Sequence, residues 1–431
     1  MSREDDRGNR SVRVPVIAWI LAVACLLRVT AVVVRFENLQ VDRDVYLSIA
    51  QNLLEGNGFC STPGQPTAYR PPLYPLFVAA CTYAGGIAVL GLVQILIGTA
   101  TVWLTWHLAG RCQFSKLTAA IAATLVAIDP LLIEYTTQAM TETLSTFLVT
   151  ILLVATLWNG NSLAKSVVVG VLFGLAALCR PSIWAFGAIA GTVWVIGNWR
   201  SLLGGEESGS QVSSKHTKVG VGCILAVAIT ISPWVIRNAS VFGRPILMTT
   251  HGGYTLLLGN NETFFNEVVA DDAPWSAVSL SNWQSENERH LSAIGIATTD
   301  EVLRDAELSR MAKQWILSNP LKFVQSCSLR VQRFWACRPS VSVGVPTWLI
   351  LGVRAYYLAT FSMAAIGFIG LRGIWFKHWS LPVMVVTLTL VHSVYWSNAR
   401  MRSAIVPVIA LAAAAAFQRS TYLENSSSSI E

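Results

Sequence analysis

The sequence has few charged residues for its length. Only 13% of its 431 residues are Asp, Glu, Lys or Arg and 53% are hydrophobic, whereas a soluble domain usually carries about 25% charged residues. The hydrophobic residues form separate runs of about 15 to 25, the length that a hydrocarbon layer of about 30 Å requires of a helix. The shortage of charge therefore excludes a soluble globular protein and predicts an all-α polytopic membrane protein.

Motifs for redox chemistry or structural zinc are missing. The eight cysteines show no CxxC pair and no Cys/His spacing that suits zinc. Cys60, Cys327 and Cys337 fall in segments that we place outside the cytoplasm; three candidates cannot all pair, and we predict no disulfide. The chain also lacks an internal repeat of fixed period, which weighs against a transporter built from inverted repeats.

A concentrated basic patch is absent as well. The net charge of +7 comes from Lys and Arg scattered at the ends of the apolar runs, which is typical of positive-inside topology and not of a nucleic-acid-binding protein. Arg3, Arg7, Arg10 and Arg13 precede the first run and place the N-terminus in the cytoplasm. This run is long and lacks a convincing cleavage site, so we expect it to remain as an anchor.

Run length and flanking charge together predict about ten transmembrane helices with both termini in the cytoplasm. The predicted spans are 14–34, 87–108, 117–132, 140–158, 166–178, 183–196, 219–235, 355–371, 381–396 and 403–417. The chain then divides into an N-terminal transmembrane catalytic module, a large extracytoplasmic loop region, C-terminal transmembrane helices and a cytoplasmic tail. Their boundaries are 1–236, with a first extracytoplasmic loop at 36–86, then 237–345, 346–417 and 418–431.

Two polar segments outside these spans show helical periodicity. One lies at 45–56; the other, at 298–320, has Thr298 and Glu301 in the spacing of a capping box and Pro320 as a terminator. We expect both to be amphipathic helices, the first at the membrane surface and the second in the extracytoplasmic region.

On this topology, acidic and basic side chains that are far apart in the sequence meet at the extracytoplasmic face. They include Asp42, Asp44, Glu142, Arg180, Arg237, His251, Arg400 and Arg402. Glu142 begins a membrane helix, where an ionisable residue is costly unless it has a partner or lines a wet cavity. Glu142 is therefore a functional candidate, and the alternative is an interfacial carboxylate paired with an arginine.

A set of short motifs occurs in a fixed order along nearly the whole chain. The set comprises Asp42-x-x-x-Tyr46, PTAYRPPLYPLF with Tyr69 and Arg70, Met140-Thr141-Glu142, Arg180-Pro181, Arg237-Asn238, Gly259-Asn260-Asn261 and Arg400-x-Arg402. Together the motifs resemble bacterial lipid-carrier glycosyltransferases of the glycosyltransferase C superfamily, in the branch with protein O-mannosyltransferases and lipid A aminoarabinose transferases. The family often has Asp-Glu where this chain has Asp42-Arg43, which leaves open whether Asp42 or Asp44 is the acting carboxylate.

The resemblance implies transfer of a sugar from a polyprenyl-phosphate carrier to a lipid, glycan or protein acceptor, with inversion, on the extracytoplasmic face of a bacterial inner membrane. It implies Asp42 as general base, with Asp44 and Glu142 in support. Arg400 and Arg402 are expected to hold the lipid phosphate. Residues expected to line the substrate pocket are Tyr46, Tyr69, Arg70, Arg180, Arg237 and His251.

Several of these roles have structural alternatives. Tyr69 and Arg70 are also ordinary membrane anchors, a loop histidine such as His251 is often only solvated, and Arg400 and Arg402 can stabilise a loop or reach lipid headgroups. Related oligosaccharyltransferases use a divalent cation, but we predict neither metal nor other cofactor, and no nucleic-acid partner. The rival function is a transporter or flippase of a polar or lipid-linked solute, which would also collect charge in a cavity.

Overall fold

The computed structural model describes residues 15–158, 162–202, 210–271, 275–338 and 345–418. Over the described residues, the chain is mostly helical. Its α-helices are α1 Val16–Val34, α2 Tyr46–Leu54, α3 Leu73–Gly85, α4 Ile87–Arg111, α5 Lys116–Ala127, α6 Pro130–Thr136, α7 Glu142–Thr156, α8 Ser162–Cys179, α9 Ile183–Leu202, α10 Ser210–Phe242, α11 Gly252–Gly259, α12 Glu262–Phe264, α13 Ala277–Ala293, α14 Glu301–Ser318, α15 Pro320–Phe334, α16 Thr347–Gly370, α17 Arg372–Lys377, α18 Ser380–Val394 and α19 Val406–Ala415.

Shorter elements join these helices. They are 3-10 helices at Phe36–Gln40 and Ala399–Ile405, a π-helix at Phe265–Ala270, and an antiparallel hairpin of β1 Cys60–Thr62 and β2 Gln65–Pro66. The four arginines that place the N-terminus in the cytoplasm and the predicted tail, apart from Gln418, lie outside the described residues.

Among the described residues, four helices are long and apolar enough to cross a membrane: α1, α4, α16 and the 218–242 part of α10. The bent pair α5–α6 makes a fifth if it counts as one span, and α3, α7, α8, α9 and α18 are shorter apolar helices. The helical membrane-embedded fold class is thereby confirmed. The number of about ten crossings stays a prediction.

The span predicted as one helix over 117–132 is broken in the structure. Helices α5 and α6 meet at an angle of 49°, because Pro130 lacks the amide hydrogen that a continuous helix needs. Asp129 caps the new start, accepting a hydrogen bond of 2.9 Å from the Leu132 amide. The sequence Asp-Pro therefore starts a helix here instead of continuing one.

Buried arginine joins the helices at this break. Arg28, in the middle of α1, is fully buried and donates to the carbonyls of Ala127 at 3.1 Å and Val126 at 3.3 Å, at the carboxyl end of α5. Those carbonyls lack helical partners because α5 ends there, and they carry the negative end of the helix dipole. The positive charge of Arg28 inside the bundle is therefore compensated by backbone carbonyl groups and does not face lipid.

Small residues allow two pairs of helices to pack closely. A Cβ added at Gly367 of α16 would lie 2.0 Å from the Ala412 carbonyl oxygen of α19, and one added at Gly170 of α8 would lie 2.5 Å from the Cys223 carbonyl oxygen of α10. Such approaches are typical of membrane helices, whose association depends on van der Waals contact rather than on apolar burial.

Residues 243–338, here called the helical cap, contain α11 to α15. The sequence predicts an amphipathic helix over 298–320, and α14 confirms it, but the capping box is wrong. Asp300, not Thr298, caps α14 by accepting from the Leu303 amide at 2.9 Å. Pro320 also begins α15 directly, since proline fits the first position of a helix.

Candidate functional site

Five charged side chains from distant parts of the chain meet at the ends of the bundle helices, and we call them the central cluster. Asp44 precedes α2, Arg70 precedes α3, Glu142 is the first residue of α7, Arg180 follows α8, and Arg400 lies in the 3-10 helix before α19. The sequence predicts all five as site residues, and the structure brings them together through a chain of ion pairs.

Glu142 lies at the buried end of this chain. Its side chain is fully buried, and its Oε1 accepts from Arg180 Nη2 at 2.5 Å and lies 3.8 Å from Arg400 Nε. Arg180 is held in turn by Thr141, whose Oγ1 is 2.9 Å from Arg180 Nε. The second carboxylate oxygen, Oε2, is buried without a hydrogen-bond partner among the described residues. An unsatisfied buried acceptor of this kind is often found where a ligand or proton is handled.

Asp44 forms the other end of the cluster, between two arginines. Its Oδ1 lies 2.9 Å from Arg70 Nη2, its Oδ2 lies 3.3 Å from Arg400 Nη1, and its carbonyl accepts from Arg70 Nε at 2.9 Å. The next residue, Val45, has φ of 65°, a left-handed conformation that is strained for a β-branched residue. Strain of this kind is tolerated where the surroundings fix it, and here it turns the chain directly from Asp44 into α2.

The central cluster carries a surplus of positive charge. Three guanidinium groups face two carboxylates, which leaves one formal positive charge. Burial lowers the pKa of Arg400, but the charges of Glu142 and Asp44 outweigh that effect and hold the pKa above its ordinary value. Arg400 Nε is also buried without a hydrogen-bond partner among the described residues. The cluster can therefore bind an anion, and a phosphate suits the planar fork of arginine.

Asp42 lies outside these ion pairs. It is exposed, and its carboxylate accepts from the amides of Leu47 at 3.1 Å and Ser48 at 2.9 Å and from the Ser48 hydroxyl at 2.5 Å. Asp42 therefore caps the amino end of α2, where the helix dipole favours a negative charge. This carboxylate is fixed in place but still reaches solvent.

Tyr46 and Tyr69 flank Arg70. The Arg70 guanidinium lies 5.5 Å from the centre of the Tyr46 ring and 5.0 Å from that of Tyr69, a cation–π geometry that orients the arginine. Burial raises the pKa of Tyr46 to about 12, so its phenol stays neutral. The structure therefore places both predicted tyrosines beside the cluster.

His251 is packed between aromatic rings and is not the solvated loop histidine of the alternative interpretation. Its ring centre lies 4.1 Å from that of Tyr69 and 5.2 Å from that of Tyr254. Burial, together with the charge of Arg70, lowers the pKa of His251 well below its ordinary value. The imidazole is therefore neutral at physiological pH.

Arg237 is the first predicted site residue that the structure places elsewhere. It donates to the carbonyls of Thr67 at 2.8 Å and Phe59 at 2.9 Å, and its guanidinium lies 5.3 Å from the centre of the Trp234 ring. Its donors are thus engaged in fastening the β1–β2 hairpin to α10. These contacts give Arg237 a structural role outside the central cluster, and its predicted role in substrate binding stays a prediction.

Arg402 is the second predicted site residue that the structure places outside the central cluster. It is 1% exposed, donates to the carbonyls of Phe334 at 2.8 Å and Ala336 at 2.7 Å, and stacks 4.3 Å from the centre of the Tyr357 ring. It thereby satisfies carbonyls at the end of α15. These contacts place Arg402 Nη1 against backbone and not in the ion pairs of the central cluster, and the role of Arg402 in holding a lipid phosphate stays a prediction.

Sequence reasoning missed a role for Thr141 and Glu301. Thr141 belongs to the Met-Thr-Glu motif and precedes the predicted site residue Glu142, so the motif could have indicated its contact with Arg180. Glu301 accepts hydrogen bonds from residues more than two hundred positions earlier in the chain, and no local sequence pattern predicts such a contact. Within the described residues, no group of three His, Cys, Asp or Glu side chains is arranged to hold a metal ion.

Fold and site together define a polytopic helical membrane protein with a positively charged cluster at the ends of its bundle helices. Residues 69–236 match the family model described as dolichyl-phosphate-mannose-protein mannosyltransferase. No curated protein sequence matches the chain.

Solved structures extend the similarity over most of the chain. The oligosaccharyltransferase AglB from Archaeoglobus fulgidus, in complex with an inhibitory peptide and a dolichol-phosphate, aligns with a TM-score of 0.50 at 16% identity, covering 92% of this chain and 50% of AglB. The apo Archaeoglobus fulgidus enzyme gives a TM-score of 0.50 at 15% identity over 96% of this chain and 52% of its own. ArnT from Cupriavidus metallidurans bound to undecaprenyl phosphate gives 0.46 at 13% identity over 94% and 78%.

The chain thus spans about half the length of the archaeal oligosaccharyltransferases that it matches. At such low identity the likeness concerns the fold alone. The family match over residues 69–236 and this likeness of fold both agree with the resemblance to the glycosyltransferase C superfamily that the motifs show.

Proposed function

We propose that this protein is a membrane glycosyltransferase that moves a sugar from a polyprenyl-phosphate carrier to a lipid, glycan or protein acceptor. The observation that carries the proposal is the central cluster, a set of three arginines and two carboxylates with one surplus positive charge. The family match supports a lipid-phosphate sugar as donor, and the AglB structure contains a dolichol-phosphate.

In the proposed reaction, the acceptor oxygen attacks the anomeric carbon and the bond from that carbon to the phosphate oxygen breaks. Polyprenyl phosphate leaves with the electron pair of the broken bond. Arg400 has an unused buried donor and is oriented by Asp44 and Glu142, so it can stabilise the charge that develops on the phosphate. Direct displacement inverts the anomeric centre.

A carboxylate takes the proton of the acceptor, and the candidates differ in their surroundings. Asp44 is engaged by Arg70 and Arg400, and Glu142 is fully buried against Arg180. Asp42 makes no ion pair with the described residues and reaches solvent. We therefore assign the general base to Asp42, with Asp44 and Glu142 orienting the arginines.

We place the site on the extracytoplasmic face of a bacterial inner membrane, with both termini in the cytoplasm. Lys and Arg at the α4–α5 turn and in α17 support this orientation. A transporter or flippase is disfavoured because the charges of the cluster stand at helix ends and not across the middle of a transport path.

The test is a discharge assay with purified protein and a panel of polyprenyl-phosphate monosaccharides, in which released polyprenyl phosphate is measured. We expect the wild type to discharge at least one donor. Asp42→Asn should reduce the rate about 10²- to 10⁴-fold, the usual contribution of a general base. Glu142→Gln should also reduce it, since the Arg180 and Arg400 partners are disturbed.

Glu55→Gln is the matched control, because Glu55 is an exposed carboxylate at the other end of α2 and should leave the rate unchanged. Failure of the wild type to discharge every donor in the panel would contradict the function. Full activity of Asp42→Asn would contradict the assignment of the base.

A further inference from the structure

We propose that Glu301 of the helical cap is a positioning residue for the central cluster, holding the two loops that carry Arg70 and His251. The inference rests on the proposed transfer reaction. Its basis is a set of contacts between α14 and two neighbouring chain segments, 67–70 and 250–253.

The Glu301 carboxylate accepts hydrogen bonds from both loops. Oε1 accepts from the Thr67 hydroxyl, and Oε2 accepts from the Ala68 amide at 2.9 Å and from the Thr250 hydroxyl at 2.8 Å. Thr67, Ala68 and Thr250 are all buried, at 3%, 0% and 7% exposure. Donors buried in this way cost free energy if left unpaired, so the carboxylate has a definite place.

The two loops are also joined to each other. The Thr250 amide donates to the Ala68 carbonyl at 3.0 Å, and the Tyr69 amide donates to Thr67 Oγ1 at 2.9 Å. Glu301 therefore reaches Tyr69 through Thr67, and Tyr69 lies next to Arg70 in the chain. A shift of this loop would move the guanidinium that pairs with Asp44.

The second loop is held from the same helix by another carboxylate. Asp305, one turn beyond Glu301 on α14, accepts from the Gly253 amide at 2.6 Å. Between these two anchor points stands His251, whose ring packs on Tyr69. A Cβ at Gly253 would lie 2.0 Å from the Asp305 carbonyl oxygen, so the loop is seated directly on the helix.

On this arrangement, we expect Glu301 to act more on the rate of the chemical step than on donor binding. Arg70 acts through Asp44, which orients Arg400 toward the leaving phosphate. Loss of orientation by about 1 Å costs on the order of 100-fold in rate. We expect Glu301→Ala to lower kcat between about 10- and 100-fold, with the donor KM changing by less than about two-fold.

The conservative variant separates hydrogen bonding from simple occupation of space. In Glu301→Gln, the amide oxygen can accept from Ala68 and Thr250 while the amide nitrogen donates to Thr67 Oγ1, so kcat should recover to within about three-fold of the wild type. Thr250→Val should lower kcat and Thr250→Ser should restore it, because serine keeps the hydroxyl.

The experiment measures kcat and KM for discharge of one polyprenyl-phosphate sugar, with thermal unfolding of each variant beside it. Glu307→Ala is the matched control: Glu307 is on the same helix but pairs with Arg310 and His290, so kcat should not change. An inactive wild type would overturn the proposed function itself. An active wild type with equal kcat in Glu301→Ala and Glu307→Ala would overturn the positioning role, as would a loss in Glu301→Ala that Glu301→Gln does not recover.

Discussion

Arg400 and Arg402 stand two positions apart, yet their side chains enter different surroundings. At three residues per turn of a 3-10 helix, side chains two positions apart diverge by about 120°. Arg400 therefore reaches the carboxylates of Asp44 and Glu142, and Arg402 reaches carbonyls at the end of α15. Arg400 is thus paired with carboxylates of the central cluster, whereas Arg402 is bonded to the backbone.

Replacing each of these arginines by leucine should therefore give opposite results. In Arg402→Leu, the carbonyls of Phe334 and Ala336 lose a buried donor, which costs about 1–3 kcal/mol each, so the thermal unfolding midpoint should fall. In Arg400→Leu, Asp44 keeps Arg70 and Glu142 keeps Arg180, so the midpoint should change little while sugar transfer is lost. Tryptophan fluorescence during heating in detergent, with the discharge assay, measures both effects.

The opposite result would show that Arg402 belongs to the functional site. If Arg402→Leu unfolds like the wild type but no longer releases polyprenyl phosphate, its carbonyl contacts are dispensable and its guanidinium acts on the ligand.

Residue identity alone does not tell an arginine of the central cluster from one that stabilises the fold. The sequence predicted the five members of the central cluster because charges at helix ends on one face of a membrane protein need partners. The same reasoning selected Arg237 and Arg402, whose partners are backbone carbonyls. Carbonyls are present at every position, so a sequence does not indicate which of them an arginine will meet. Glu301 was missed as a site residue because its partners come from distant loops.

The close crossing of α16 and α19 depends on one glycine, Gly367, which has no side chain. At Gly367, a Cβ would lie 2.0 Å from a backbone oxygen of α19, whereas at Gly370, three residues along the same helix, a Cβ would meet nothing within 4 Å. A backbone atom cannot move aside like the end of a flexible side chain. The two helices would have to separate to accept even a methyl group at Gly367.

Gly367→Ala should therefore destabilise the protein by about 1–3 kcal/mol, as overpacking usually does. Gly370→Ala is the control and should be neutral or slightly stabilising, because alanine favours a helix by up to about 1 kcal/mol relative to glycine. The measurement is the thermal unfolding midpoint of each variant, which should fall for Gly367→Ala and not for Gly370→Ala. Equal midpoints would show that the close approach does not limit packing.

Element positions were predictable wherever hydrophobic length or helical periodicity set them. The helices α1, α4 and α7 and the amphipathic α2 and α14 begin and end near the predicted residues. The break at Asp129-Pro130 and the additional helices α11, α13 and α15 of the helical cap were not predicted. These helices are polar or short, and their hydrophobic faces are defined by contacts with one another, such as α11 against α14 at Gly253.

At the scale of the whole molecule, the two ends of the bundle differ in chemistry. The α4–α5 turn, α17 and the end of α19 meet at one end, where Lys377 Nζ lies 3.3 Å from Gln113 Oε1 and the Ser115 amide donates to Gln418 at 3.1 Å. The central cluster and the surface segment that carries Asp42 belong to the other end. Since short basic loops remain in the cytoplasm, the first end should face the cytoplasm and the cluster should face outward.

Cysteine labelling in intact cells tests this orientation. In a background without the native cysteines, Glu55→Cys and Lys377→Cys each place a thiol at an exposed position, the first on the segment of Asp42 and the second at the basic end. A membrane-impermeant maleimide should label Glu55→Cys directly and Lys377→Cys only after permeabilisation, with retained sugar transfer as the control for folding. The opposite labelling pattern would put the cluster in the cytoplasm, and donor sugars would then have to be used on that face.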